Sequence, residues 1–163
     1  MRDRLRRGQA RRPDPALPRG PRVSRREAFT RLLAGISADL AAYAALATLL
    51  EQQFRAIVAH DAQALQAVGA TVLERVAELD RRRTERVALV QALGVQGGER
   101  PVERVFEQLP PAARETALQA WMTLEARLHV CRDKNARNCE LLMGQRARLA
   151  ELDGGDADTY APA

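Results

Sequence analysis

A seven-residue beat late in the chain limits what this sequence can fold into more than any other feature. Steps of three and four residues land on Trp121, Leu124, Leu128, Cys131, Asn135, Asn138, Leu142, Gln145 and Leu149. That alternation straddles the helical turn, so these side chains share one helix face, and a face repeating every seven residues packs lengthwise on a partner. Glu125, Arg127, Arg132, Asp133, Lys134, Arg137, Glu140 and Arg148 fall between them as a solvated charged side. The apolar line is interrupted: Asn135 and Asn138 stand where a simple coiled coil would carry leucine. An unpaired buried amide costs about 1–3 kcal/mol, so such residues tend to fix register or wait for a specific partner. The segment reads as a docking surface.

The same spacing recurs upstream. Ser24 with Glu27 three residues later forms a capping-box signature that opens a first helix running to about Ala59. Its apolar line is Phe29, Leu33, Ile36, Leu40, Tyr43, Ala47, Leu50, Phe54 and Ile57, with alanines that permit close approach of a neighbour. Asp61 is a plausible N-cap for a second helix over about Ala62 to Leu93, closed by Gly94. Leu65, Val68, Val72, Val76, Leu79, Val87, Val90 and Leu93 are its expected inward residues, and Asp80-Arg81-Arg82-Arg83 its solvated face. A linker at Gln96 to Pro101 precedes a short turn, Val102 to Leu109, and Pro111 opens the long third helix, ending at Leu152. The expected fold is all-α: an elongated antiparallel helical hairpin with a third long helix packing back on it. Residues 1–24 read as a disordered Arg/Pro-rich tail, or as sequence upstream of a true start near Val23. Residues 25–152 form the helical domain, and 153–163 a flexible C-terminal tail.

Charge and cysteine usage exclude several functions. The formal net charge is +5, yet ten arginines lie within residues 1–26 against only Asp3 and Asp14, which leaves the remainder acidic. Nucleic-acid binding would have to rest on that tail alone and is not expected. Cys131 and Cys139 sit eight residues apart on one helix, about 12 Å at roughly 1.5 Å per residue. A disulfide needs less than about 7 Å, so both are expected as free thiols of a cytoplasmic protein. No hydrophobic run approaches the roughly 18 residues of a membrane span, so insertion is not expected.

No catalytic constellation emerges. Ser24 and Ser37 are the serines, and neither lies in a nucleophile setting. His129 and Cys131 are two residues apart on a helix, so they point away from each other and cannot work as base and nucleophile. His60 is a junction residue without a second ligand, and no cofactor or metal cluster is expected.

Two stretches resemble the FlgN-type flagellar export chaperones. Leu49-Leu50-Glu51-Gln52-Gln53-Phe54-Arg55-Ala56-Ile57-Val58-Ala59-His60-Asp61-Ala62-Gln63-Ala64-Leu65 is similar to the family's hairpin pattern. Asn135-Ala136-Arg137-Asn138-Cys139-Glu140-Leu141-Leu142-Met143-Gly144-Gln145 is similar to its Asn-x-x-Asn-Gly-x-Leu-Leu-x-Gly-Gln signature, with Cys139 in place of the glycine. Thr159-Tyr160 resembles a tyrosine-centred tail motif, although Ala161 replaces the glycine that usually follows.

The resemblance implies a cytoplasmic type III secretion chaperone. It would bind the C-terminal helices of hook-associated proteins, prevent premature assembly and deliver them to the cytoplasmic domain of the export gate. Trp121, Leu124, Leu128, Cys131, Asn135, Asn138, Leu142 and Gln145 are the expected client-binding residues, and Tyr160 the gate-docking residue. The alternative is a coiled-coil adaptor that self-associates through the same face.

Overall fold

A computed structural model describes residues 24–155, with side chains through Leu152. Three long helices and one short one account for nearly all of it: α1 (Arg25–Val58), α2 (Ala62–Ala92), α3 (Pro101–Phe106) and α4 (Pro111–Gly155). The all-α hairpin and returning helix expected from the spacing are present. Of the tails expected at either end, residues 1–23 and 156–163, Tyr160 among them, lie outside the described residues.

Local signals set the helix ends. The Ser24 side chain accepts from the Glu27 amide, and the Asp61 carboxylate from the Ala64 amide at 2.9 Å. Both helices of the hairpin close in the same way. Beyond α1, the His60 amide donates to the Ile57 carbonyl and the Asp61 amide to that of Ala56; beyond α2, Gly94 donates to Gln91 and Val95 to Val90. This closure requires a left-handed residue just past the cap. Gly94 supplies it at φ +89, but at the hairpin turn the position is held by His60 at φ +54. The turn histidine is thus a backbone device built from a residue that L-stereochemistry disfavours there. At the far end, α4 continues through Asp153, Gly154 and Gly155, past the stop read at Leu152.

α1 is the axis of the molecule. α2 packs along one side of it and α4 along another, while α2 and α4 make no comparable contact with each other among the described residues. Serving two partners widens the buried face of α1. Its deepest residues are Ala28, Leu32, Ile36, Asp39, Ala42, Leu46, Leu50, Ala56 and Ile57, one step around from the line read in the sequence. Phe29, Leu33, Leu40, Tyr43 and Ala47 flank that line, partly buried. α1 is long and apolar enough by length and composition to cross a membrane, with a mean hydropathy of 1.6 over its best stretch, contrary to the sequence reading. In this fold the stretch lies between α2 and α4, and its deepest residues pack against them.

α3 plugs one end. Val105 and Phe106 are completely buried, joined by Val102, Leu89, Val90, Leu93, Val95, Ala117 and Leu124 in a continuous apolar core. The linker reaches it through Gly97 and Gly98, both at positive φ, and Arg104 Nη1 ties the loop by donating to the Gly97 carbonyl at 3.2 Å.

Candidate functional site

The late face of α4 resolves into two stripes with different roles. Leu124, Cys131, Asn138 and Gln145, seven residues apart, turn toward α1. Leu124, Cys131 and Asn138 are buried. Three of them form a ladder onto the α1 backbone: Cys131 Sγ donates to the Tyr43 carbonyl at 3.4 Å, Asn138 Nδ2 to that of Leu50 at 2.8 Å, and Gln145 Nε2 to that of Ile57 at 2.9 Å. The sequence separation is 88 at every rung, so α4 runs parallel to α1 in constant register. Each rung uses the second lone pair of a carbonyl otherwise engaged within its helix. Burial pushes the Cys131 thiol up, so it keeps the proton that it donates.

Asn138 is fully satisfied inside the protein. Its Nδ2 also reaches Gln53 Oε1 at 2.9 Å, and its Oδ1 accepts from Arg137 at 3.4 Å. Around it, Glu51 on α1 receives Lys134 at 2.6 Å and Arg137 at 3.2 Å, and hydrogen bonds from these two cations hold its carboxyl below the usual range. The Arg137 guanidinium also lies 3.8 Å from the centre of the Phe54 ring. In this state Leu124, Cys131, Asn138 and Gln145 hold α4 to its own bundle.

The second stripe, Trp121, Leu128, Asn135 and Leu142, is left more open: Asn135 is exposed and the other three half-buried. Leu128 and Asn135 form one wall of a groove between α4 and α2. Its floor is Tyr43, Leu46 and Leu50 of α1, and its far wall Val72, Val76 and Leu79 of α2. Arg132 stands on the α4 rim, and Asp80 and Arg83 on the α2 rim; the hollow holds about 310 Å³ and its lining is mostly apolar. It extends past Arg83 toward α3, where Val87, Val90, Trp121 and Glu125 line a second hollow. The groove exists because α2 and α4 each pack on α1 and not on one another. It has the form of a helical bundle with one helix position vacant.

Two α2 charges turn inward behind this wall, and one of them, Arg82, belongs to the run expected in solvent. Arg82 and Arg86 fold inward to Asp39 of α1, whose side chain is only 2% exposed. Arg86 hydrogen-bonds one carboxylate oxygen, and Arg82 approaches the other at 3.6 Å. Desolvation raises the Asp39 pKa, with both arginines opposing it. Arg86 also lies 5.5 Å from the Trp121 ring centre, so one guanidinium links all three long helices. Val76 and Val87, expected to face inward, are instead 47% exposed. Both line the groove, Val76 in the lower hollow and Val87 in the second. Asp39 was missed by sequence reasoning; its signal was a lone acid three residues from Ile36 in an otherwise uncharged stretch.

Cys131 and Cys139 are free thiols, the first buried and the second exposed. Among the described residues no group of three or more His, Cys, Asp or Glu is placed to hold a metal ion. The arrangement offers an apolar trough with polar rims, suited to an amphipathic helix.

Residues 28–152 match the family model described as FlgN protein. No curated protein and no solved structure matches the chain. The matched segment spans the hairpin, the α3 plug and nearly all of α4, so the geometry above belongs to the family's own region. The chain is a member of the FlgN family, the flagellar export chaperones.

Proposed function

We propose that this protein is a cytoplasmic chaperone of flagellar type III secretion that holds the C-terminal helix of a hook-associated protein in the groove between α2 and α4. The observation that carries the reading is the vacant helix position itself: an apolar floor, an apolar α2 wall and a mixed α4 wall, left open by helices that share α1. An unassembled amphipathic terminus would otherwise self-associate, and a groove of this form covers its apolar stripe. Trp121, Leu128, Asn135 and Leu142 are the client-facing members of the α4 face. Leu124, Cys131, Asn138 and Gln145 contribute by holding that face in register. Delivery to the export gate is assigned to the tail around Tyr160, on the resemblance of Thr159-Tyr160 to the family's tail motif.

Paired substitution of the walls tests the reading. Val76→Asp with Leu128→Asp places carboxylates on both sides of the trough while sparing the residues that join the helices. Capture of a hook-associated protein's C-terminal helix should weaken by at least about ten-fold, since burying each apolar side chain is worth roughly 1.5–3 kcal/mol. Circular dichroism should report unchanged helicity. Undiminished capture by the variant would remove the groove from the proposal, and absence of capture by the unaltered chain would remove the function. A stable multimer without client affinity in light scattering would favour the self-associating adaptor.

A further inference from the structure

The two walls of the groove differ in charge, and the difference specifies its occupant. On the α2 rim Asp80 and Arg83 neutralise each other at 3.1 Å. On the α4 rim of the lower hollow the exposed groups are Arg132 and Asn135, three residues apart and therefore on the same side of one helical turn; Glu125, exposed on the same helix, stands at the second hollow. Among the described residues neither has an ion-pair or side-chain hydrogen-bond partner. Neighbouring α4 cations are committed elsewhere: Lys134 and Arg137 to Glu51, Arg127 to the Leu40 carbonyl. The α4 rim of this hollow thus presents a guanidinium, which only donates, and an amide, whose NH2 can donate, beside an apolar floor.

We infer that the groove selects an amphipathic client helix bearing carboxylates on the flank that meets α4, with Arg132 and Asn135 as the selecting residues. The inference rests on the client-helix reading above and adds the chemistry of the client. A carboxylate at that rim receives charge-assisted hydrogen bonds from the guanidinium and a further donor from the amide. A lysine there meets Arg132 at like charge. The asymmetry also sets chain direction. With the client's apolar stripe on the floor, reversing the helix would exchange its flanks and turn the acidic one toward the neutral α2 rim.

The test uses the full chain and three designed peptides, each three heptads long with the same leucine stripe. They carry glutamate, glutamine or lysine along one flank and are kept below their own self-association concentration. Affinity is read by calorimetry and by the emission of Trp121, the single tryptophan, which lines the upper groove. The glutamate peptide should bind about ten-fold tighter than the glutamine peptide, with the lysine peptide weakest. The gap should close in Arg132→Gln/Asn135→Ala and narrow at high salt. Equal affinities, a preference for lysine, a gap that survives in the variant, or no binding of any peptide each overturns the inference. Capture of a hook-associated terminal helix, run in parallel, separates the failures. Intact capture without the gap sinks only the acidic flank; lost capture sinks the chaperone reading with it.

Discussion

The two ends of the bundle are fastened by different physics. Around α3, the helices meet through a continuous apolar core with Phe106 and Val105 fully buried at its centre. Toward the hairpin turn the apolar cluster shrinks to Ala42, Leu46, Leu50, Val72, Leu79 and Cys131, and α4 is held on α1 largely by polar rungs. Beyond Gln145 its side chains are exposed through Leu152. Apolar packing supplies most of the stability but is indifferent to small shifts, whereas a directional bond from an amide to one carbonyl permits a single register. Water can replace the polar rungs more readily than it can enter the upper core. The lower half of α4 should therefore open first, and the client-facing stripe lies partly on that half.

The contrast can be broken most forcefully at the plug. Phe106→Ala should cost about 3–5 kcal/mol of global stability in denaturant unfolding, as a cavity forms at the centre of the upper core. A loss under about 1 kcal/mol would mean that this end does not anchor the fold. Next in size is Asn138→Ala, expected to cost about 1–2 kcal/mol through the lost bonds to Leu50 and Gln53. Its signature is local: hydrogen exchange should quicken across residues 132–152 while the amides around Phe106 keep their protection. Exchange rising equally at both ends would dissolve the distinction between the halves.

Acid should sharpen the same contrast with the smallest effect. The Glu51 pKa is lowered by hydrogen bonds from Lys134 and Arg137, so its clamp on α4 is complete above the ordinary glutamate range and lost as pH falls through the depressed value. The Asp39 pKa is raised by desolvation, so the folded state takes up that proton more readily than the unfolded chain. Its contribution has the opposite sign: acidification favours the fold there, and the benefit is lost as pH rises through the raised value. Exchange measured on descending from neutral pH should show residues 132–152 loosening before the segment around Asp39. The reverse order would contradict both assignments.

Much of the architecture was legible because it depends on local chemistry. Ser24, Asp61 and Gly94 mark helix ends through bonds made within a few residues, and each lies where the sequence placed it. Legibility fell where one helix serves two neighbours. Spacing put Trp121 through Gln145 on one face of α4, but could not say that Leu124, Cys131, Asn138 and Gln145 turn to α1 while Leu128 and Asn135 border a groove. The two stripes are adjacent on the helix, and only the placement of α2 separates them.

Helix content, the capped ends of α1 and α2 and the periodic face of α4 were determined by the sequence alone, since backbone hydrogen bonding and side-chain period act over a few residues. Tertiary structure decided the rest: that Asp39 is buried beneath Arg82 and Arg86, that Asn138 is satisfied within the bundle, and that an apolar trough lies between α2 and α4. A buried charge or amide is tolerable only when a distant segment brings its partner, and a groove is a property of two helices that pack on a third and not along one another.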